Sequence, residues 1–365
     1  MLRRLPAVST VVVLVLACQG ETTRKAPQPA YPPQYGAYPQ GQYPQGQYPQ
    51  GQYPPPQSPP GQYPPPQYPQ GQPQYPAPPP PAPPPAGVTP PQVASVANDP
   101  INGLNRGWLR QKAQSVLAEL MAALPDAARA RVQNIPLVVD DTPGDVNAFA
   151  ACADGRALMA VTDDMLEIMA WLAMASAHDE VFQSSKTDEY VQFIARNLAP
   201  ERPLPRPAGF FPAATQDDGR KVQRQHVIFE EQLAFVLGHE LAHHHLGHLP
   251  CTGAPGPLGS ADLARVLASR VPLFNQPNEA AADLAGTTNV LDAGARRNGA
   301  RWSEAGGLLT MRFFIGLEGG GGPNLLLAFQ HSHPSPHFRI PMIQQSANFW
   351  RRTGGVGIPV PRVGG

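Results

Sequence analysis

The sequence predicts an α+β domain, mostly helical, that follows a long N-terminal segment without secondary structure. Two observations lead to this fold class. Residues 26–98 carry no charge and consist mainly of Pro, Gln, Tyr and Gly. Beyond them, a few short β patterns come first and helical patterns fill the rest of the chain. The predicted domain, residues 98–352, is long enough to bury a full hydrophobic core.

The N-terminus has the order of a bacterial signal peptide. An arginine pair precedes an apolar run at residues 8–16, which is too short to span a bilayer comfortably. The sequence Val-Leu-Ala directly before Cys18 resembles a lipobox, which is cut before a cysteine that is then diacylated. We therefore predict a signal peptide at residues 1–17, lipidation of Cys18 and a membrane anchor in the bacterial cell envelope. Gln19 favours the outer membrane, facing the periplasm. The alternative is an ordinary secretory signal with a chance cysteine.

Residues 18–97 are predicted to be a disordered linker. The repeat "YPQGQ" and the scarcity of aliphatic side chains leave too little apolar surface to offset the entropy of ordering. We interpret the segment as a spacer between the anchor and the domain, with a specific binding tract as the alternative. The formal net charge of zero, with 15% charged residues, argues against a nucleic-acid partner.

The elements of the domain are predicted in order from periodicity, turn residues and helix caps. Short strands are expected at residues 135–140, 146–152 and 156–162, the last two joined by the turn Ala-Asp-Gly. The prolines of residues 199–219 predict a loop, and residues 353–365 are expected to form a flexible tail. Helices are predicted at residues 104–124, 163–177, a histidine-rich segment ending at Gly247, 260–269, 278–292, 303–317 and 336–350.

The histidine-rich segment reads "GHELAHHHLGHL". His239 and His243 are four residues apart, so they share a helix face and can reach one metal ion. Glu240 lies beside them as a candidate base. The alternative is a histidine-rich helix end that binds no metal. On a continuous helix the remaining histidines point elsewhere, and they are predicted to be surface or packing residues: His244, His245 and His248.

A catalytic zinc ion needs a third protein ligand and leaves its fourth position to water. Downstream, "QPNEAAADLAG" places Glu279 and Asp283 four residues apart on a predicted helix. We predict Glu279 as the third ligand of one zinc ion per chain, and Asp283 as the acceptor of a ligand histidine's other N–H. The alanines between them suit close packing against the helix that carries the histidines. Taken alone, Glu279 would be an exposed helix carboxylate.

Together these motifs resemble the gluzincin metallopeptidases of the HtpX, BepA and CAAX prenyl protease family, which have a zincin-like fold with a short strand pair at the cleft. "NAFAACADGRALMAVTDDML" resembles that family's strand pair and following helix, and "SHPSPHFRI" resembles its C-terminal motif. The matches occur in family order. The sequence departs from the family at residues 152–154 and in a long loop at residues 183–221. No apolar stretch of membrane length occurs inside the domain, so the chain is closer to the BepA-like members.

The resemblance implies roles for individual residues. Zinc would activate a water molecule and polarise the scissile carbonyl, while Glu240 would take the water's proton and pass it to the leaving amine. His333 would donate to the developing oxyanion or, in a latent state, approach the zinc. Arg339 would lie nearby for charge or positioning. The edge strand expected to pair with the main chain of a substrate comprises Asn147, Ala148, Phe149 and Ala150.

Cys152 and Cys251 form a candidate disulfide, because export places them in an oxidising compartment. The bond would pin the cleft if their two elements flank it, and two free thiols are the alternative.

The leading functional hypothesis is a lipid-anchored zinc endopeptidase that acts on misfolded or stalled envelope proteins. One alternative is a latent or non-proteolytic chaperone or scaffold lipoprotein on the same fold. Another is a metal-storage lipoprotein that uses the histidine cluster, although storage needs no base at Glu240. The partners expected are protein or peptide substrates and a membrane, and the sequence leaves the oligomeric state open.

Overall fold

The structure, a computed structural model, describes residues 96–199, 201–251, 276–318 and 335–360. The predicted signal peptide, Cys18 and nearly all of the predicted linker lie outside these residues, as does the helix predicted at residues 260–269. No helix in the described part of the chain is long and apolar enough to cross a membrane.

Helices dominate the described residues, and a small three-stranded sheet accompanies them. This arrangement confirms the predicted α+β, mostly helical fold class. The strands are β1 (Leu137–Asp140), β2 (Ala148–Ala153) and β3 (Arg156–Thr162). The helices are α1 (Arg106–Ala123), α2 (Asp126–Val132), α3 (Asp163–Phe182), α4 (Lys186–Asn197), α5 (Ala213–Gln216), α6 (Gly219–His245), α7 (Gln276–Arg296), α8 (Ala305–Glu318) and α9 (Pro336–Arg352).

The turn between β2 and β3 follows from its two central residues. Asp154 and Gly155 both have positive φ angles, 48° and 78°, as a two-residue type I′ hairpin requires. β2 therefore pairs antiparallel with β3, and β1 pairs parallel with β3 on the other side. The strand order β1-β3-β2 leaves β2 at an edge of the described sheet.

Helix α3 is buried on nearly all sides. The Thr162 side chain caps its N-terminus by accepting a hydrogen bond from the Met165 N–H, and Asp163 and Asp164 occupy the first turn. Carboxylates at this end are favoured by the helix dipole. A helix that is apolar on every face belongs in the centre of a domain, and α3 packs there against α1, α4 and α6.

Helices α6 and α7 approach each other at a distance that only small residues allow. A Cβ atom on Gly286 of α7 would lie 2.9 Å from the backbone nitrogen of His239 in α6. Ala282 of α7 and Ala242 of α6 extend the same contact. The close packing brings the first turn of α7, which carries Glu279, beside the histidines of α6.

The segment at residues 183–221 is more ordered than the sequence suggested. We interpreted it as a long loop, but it contains α4 and α5. Phe210 and Phe211 pack on Trp171 of α3, with ring centroids 5.9 and 5.8 Å away. Helix α4 was missed although Tyr190 and Ile194, four residues apart, give it a buried face of helical period. The segment was interpreted from the prolines that follow at residues 199–219.

Part of the segment expected to be a flexible tail lies against α7. Gly357 packs closely on the side chain of Thr288. Val360 contacts the small apolar cluster of Ala242, Leu246 and Ala282. The end of the chain therefore contributes to the packing of α6 on α7 as far as residue 360.

Candidate metal centre

Two histidines and a glutamate meet between α6 and α7. His239 and His243, one turn apart on α6, bring their Nε2 atoms to 3.1 Å from each other. Glu279 places its Oε2 atom 3.3 Å from His239 Nε2 and its Oε1 atom 3.3 Å from His243 Nε2. All three side chains are almost fully buried. The structure thus brings together the three residues that the sequence suggested as ligands.

The spacing of these atoms fits a metal ion. Ligand atoms of a tetrahedral zinc site, with bonds of about 2.0–2.2 Å, lie roughly 3.3–3.6 Å apart. The observed distances of 3.1, 3.3 and 3.3 Å are close to that edge length. Among the described residues, His239, His243 and Glu279 form a buried group whose ligand atoms all lie near one another. Two imidazoles and one carboxylate are a donor set of catalytic zinc sites, and they leave a position for water.

The second ring nitrogen of His239 faces a carboxylate. His239 Nδ1 lies 2.9 Å from Asp283 Oδ1, so an N–H at this position donates to Asp283 and leaves the Nε2 lone pair for a metal. Arg339 of α9 donates to both oxygens of Asp283, from Nη2 at 2.8 Å and from Nε at 3.0 Å. Arg339 and Asp283 are both buried, so each compensates the charge of the other.

The negative charges of Asp283 and Glu279 favour a cation at the candidate metal centre. Burial raises the pKa of Asp283, but Arg339 and His239 outweigh it and hold that pKa below its ordinary value. Burial and Arg339 oppose the protonation of His239, yet Asp283 and Glu279 raise its pKa to about 9. The two carboxylates that raise this pKa favour any cation placed between them, whether a proton or a metal ion, and the two compete for Nε2.

The partner of His243 was missed in the sequence. On a continuous helix His248 would point away from the centre, but α6 ends at His245 and Gly247 has a φ angle of 79°. The chain folds back, and His248 Nδ1 lies 2.9 Å from His243 Nδ1. Burial lowers the pKa of His248. Gly247 is the sequence signal that could have revealed this contact, since a glycine here commonly adopts the left-handed conformation that ends a helix.

The other two histidines of the run turn away from the centre. His244 donates from Nε2 to the Leu158 carbonyl of β3 at 2.9 Å, and burial lowers its pKa to about 4. His245, the last residue of α6, is buried as well. His244 therefore serves the packing of the helix against the sheet.

Glu240 faces the edge strand. The Ala150 N–H donates to Glu240 Oε2 at 2.8 Å. The Asn147 carbonyl accepts a hydrogen bond from β3, and the alternation of an antiparallel ladder then turns the backbone groups of Phe149 toward β3 as well. The backbone groups of Ala148 and Ala150 point away from β3, on the side of Glu240. The predicted substrate strand is thus an edge strand next to the candidate base.

A small cavity lies beside Glu240 and His239. Its volume of about 20 Å³ leaves room for about one water molecule. Asn147, Thr310 and Arg339 are polar residues among those that line it. The buried Asn147 Oδ1 accepts no hydrogen bond from any described residue. The other lining residues are apolar: Ala148, Met165, Phe235, Val236, Met311 and Phe314. Ala148 belongs to the predicted substrate strand, but sequence reasoning did not identify the other five residues, because they come from three separate helices.

Cys152 and Cys251 form a disulfide in the structure. Their Cα atoms are 5.5 Å apart although 99 residues separate them in the sequence. The bond joins β2, which faces Glu240, to the chain just after α6. It therefore links the edge strand to the helix that carries the histidines.

Two residues assigned by resemblance have different outcomes. His333 lies outside the described residues. Arg339 lines the cavity, yet its closest hydrogen bond is to Asp283. This contact places Arg339 behind His239, where it holds the carboxylate that orients the ligand.

Comparison with known proteins agrees with this geometry. Residues 107–252 match the family model described as peptidase family M48. The match spans α1 to the end of α6 and includes His239, Glu240 and His243, while Glu279 and Asp283 follow it in the chain. It supports a zinc metallopeptidase of family M48. Comparisons with curated proteins and with solved structures each find no significant match.

Proposed function

We propose that this chain, which contains an M48 peptidase domain, is a zinc-dependent endopeptidase that hydrolyses proteins of the bacterial cell envelope. The observation that carries the proposal is the convergence of His239, His243 and Glu279 within 3.3 Å of one another, with Glu240 beside them. A storage site would need the ligands but not a buried carboxylate held against a strand edge.

His239, His243 and Glu279 would hold the zinc ion. When bound, zinc supplies Lewis-acid chemistry, which polarises a substrate carbonyl and lowers the pKa of water. Glu240 takes a proton from the attacking water as the oxygen bonds to the carbonyl carbon. It then delivers that proton to the amide nitrogen as the carbon–nitrogen bond breaks. The Ala150 N–H, which donates to Glu240 Oε2, orients the carboxylate for both transfers.

The edge of β2 provides a place for the main chain of a substrate. The backbone groups of Ala148 and the carbonyl of Ala150 face the side of Glu240, while the Ala150 N–H stays on the Glu240 carboxylate. An extended peptide can pair with such an edge regardless of its sequence. The cavity beside Glu240 is lined mainly by apolar side chains. We therefore propose that a side chain no larger than a methyl group, next to the scissile bond, occupies it, with Asn147 Oδ1 accepting a peptide N–H.

The resemblance to family motifs supports two further assignments. His333 is proposed to donate a hydrogen bond to the substrate's carbonyl oxygen as negative charge develops on it. Arg339 is proposed to position Asp283 and, through it, His239, because its described contacts are with those two residues.

The location of the enzyme is proposed from the N-terminal sequence. A signal peptide at residues 1–17, a lipid on Cys18 and the linker of residues 18–97 would tether the domain to a membrane, with the outer membrane favoured by Gln19. The Cys152–Cys251 disulfide is compatible with an oxidising compartment such as the periplasm.

Glu240→Gln tests the proposal directly. We expect the purified variant to retain one zinc ion per chain but to hydrolyse an unfolded protein such as casein about 10²–10⁴-fold more slowly. The matched control is Glu230→Gln on the same helix, since Glu230 pairs with Lys112 and Arg297 outside the centre. Its activity should stay close to that of the wild type.

Two results would contradict the proposal. Hydrolysis by Glu240→Gln at the wild-type rate would remove Glu240 from the reaction. A wild-type protein that binds one zinc ion yet cleaves no unfolded substrate would favour the latent or non-proteolytic scaffold.

A further inference from the structure

The second ring nitrogen of His243 needs a hydrogen-bond acceptor. If Nε2 of His243 binds the metal, its Nδ1 carries the proton, because a neutral imidazole has one N–H and one lone pair. Among the described residues, a partner of that Nδ1 is His248 Nδ1, 2.9 Å away. The direction of this hydrogen bond follows: His243 donates and His248 accepts.

The fold places His248 there through the end of α6. The helix stops at His245, and Gly247 reverses the chain with a φ angle of 79°. The His248 N–H then donates to the His243 carbonyl at 2.9 Å. The two rings lie with their centroids 5.0 Å apart and their planes at 67°, so His248 meets the edge of the His243 ring where the N–H is located.

We propose that His248 is a positioning residue for the metal, which fixes the tautomer and the orientation of His243. The inference rests on the proposed function, since it takes His239, His243 and Glu279 to be metal ligands. His248 would accept the Nδ1–H of His243, as Asp283 accepts the Nδ1–H of His239. A residue that merely packed against α6 would affect the stability of the fold and leave the affinity for zinc unchanged.

Three substitutions at one position separate these roles. Asn places its Oδ1 where His has Nδ1, so His248→Asn keeps an acceptor and should bind zinc within a few-fold of the wild type. His248→Asp puts a carboxylate there and should bind zinc at least as tightly. His248→Ala removes the acceptor and should weaken zinc binding about 10–100-fold, the range seen when such outer partners are lost.

The measurement is the zinc dissociation constant, obtained by competition with a chelator, together with the melting temperature of the metal-free protein. His244→Ala is the matched control: it also removes a half-buried histidine, but one that donates to the Leu158 carbonyl. It should lower the melting temperature and leave the zinc dissociation constant unchanged. Gly247→Ala should weaken zinc binding as His248→Ala does, because a side chain at this φ angle displaces the turn.

Unchanged zinc affinity in His248→Ala would overturn the inference, and so would equal weakening in His248→Ala, His248→Asn and His248→Asp. Neither result would touch the proposed function. That proposal fails separately, if the wild type binds no stoichiometric zinc or if Glu240→Gln retains full activity.

Discussion

The two ends of helix α6 both carry buried polar clusters, but the clusters differ in how their hydrogen-bonding groups are matched. At the N-terminal end, Asp99 accepts from Gln225 Nε2 at 2.7 Å and contacts His226 Nε2 at 2.5 Å. Lys221 Nζ donates to Asn102 Oδ1 at 3.0 Å. Donors there meet acceptors, apart from the buried Gln225 Oε1, so the cluster anchors the first residues of the domain to the helix without any added ion.

At the C-terminal end, atoms of the opposite kind converge. The Nε2 atoms of His239 and His243 and the carboxylate of Glu279 lie within 3.3 Å of one another. Each is an acceptor once the outer ring nitrogens carry their protons. Acceptors at such distances repel one another unless a cation joins them. Convergence of acceptors is therefore the feature that separates a metal centre from a structural cluster on the same helix.

The largest expected effect breaks this contrast by removing one acceptor. Glu279→Ala leaves only the two histidines as ligands. We expect zinc affinity to fall by more than the roughly 100-fold that is typical when a residue hydrogen-bonded to a ligand is lost. Zinc content after dialysis against a weak chelator measures the effect. Several loosely held ions per chain, unchanged by the substitution, would mean that the histidines form a surface cluster.

A second prediction compares one aspartate from each end. Asp283→Asn leaves Arg339, which is only 4% exposed, with a buried charge, so we expect the free energy of unfolding to fall by about 3–5 kcal/mol. Zinc affinity should fall as well. Asp99→Asn removes an acceptor from a cluster without a metal, so a loss of about 1–3 kcal/mol is expected.

Urea unfolding and zinc titration of both variants check this comparison. It would be contradicted if Asp99→Asn weakened zinc binding as much as Asp283→Asn did. Equal losses of stability with unchanged zinc affinity in both variants would likewise remove the distinction between the two clusters.

The most gradual effect, spread over more than two pH units, concerns Lys221 at the N-terminal end of α6. Burial lowers the pKa of Lys221 from 10.5 to about 8, below its value in the unfolded chain. Between these pH values the unfolded chain binds more protons, so the Lys221 contribution to the free energy of unfolding rises with pH. The slope is at most about 1.4 kcal/mol per pH unit. Below pH 8 the cost of burying the charge is fully present.

The difference in unfolding free energy between the wild type and Lys221→Met isolates this contribution. It should change between pH 8 and pH 10.5 and stay constant below pH 8. Lys112→Met, which alters a partly exposed lysine paired with Glu230, is the control. A difference that stays flat across the whole window would show that Lys221 does not titrate as the structure implies.

Much of the local structure could be predicted because it depends on near neighbours in the chain. The β2–β3 hairpin follows from Asp154 and Gly155, and the start of α3 follows from Thr162 and the two aspartates after it. The placement of helix α4 could not be predicted in this way. Its position depends on aromatic contacts with α3, such as Tyr190 stacking on Trp171 at 5.4 Å.

The same division applies to the metal centre. The period of an α-helix alone puts His239 and His243 on one face, so the sequence by itself determined that two candidate ligands share a helix. Only the tertiary structure decided which groups surround them. Gly286 lets α7 approach closely enough for Glu279 and Asp283 to reach His239.

The turn at Gly247 and the packing of α9 decide the rest, since they bring His248 to His243 and Arg339 to Asp283. Residues four apart on a helix are neighbours in every context, whereas residues that meet across helices depend on interhelical distances and chain reversals. Such distances are set by the packing of the whole core, which a local pattern does not specify.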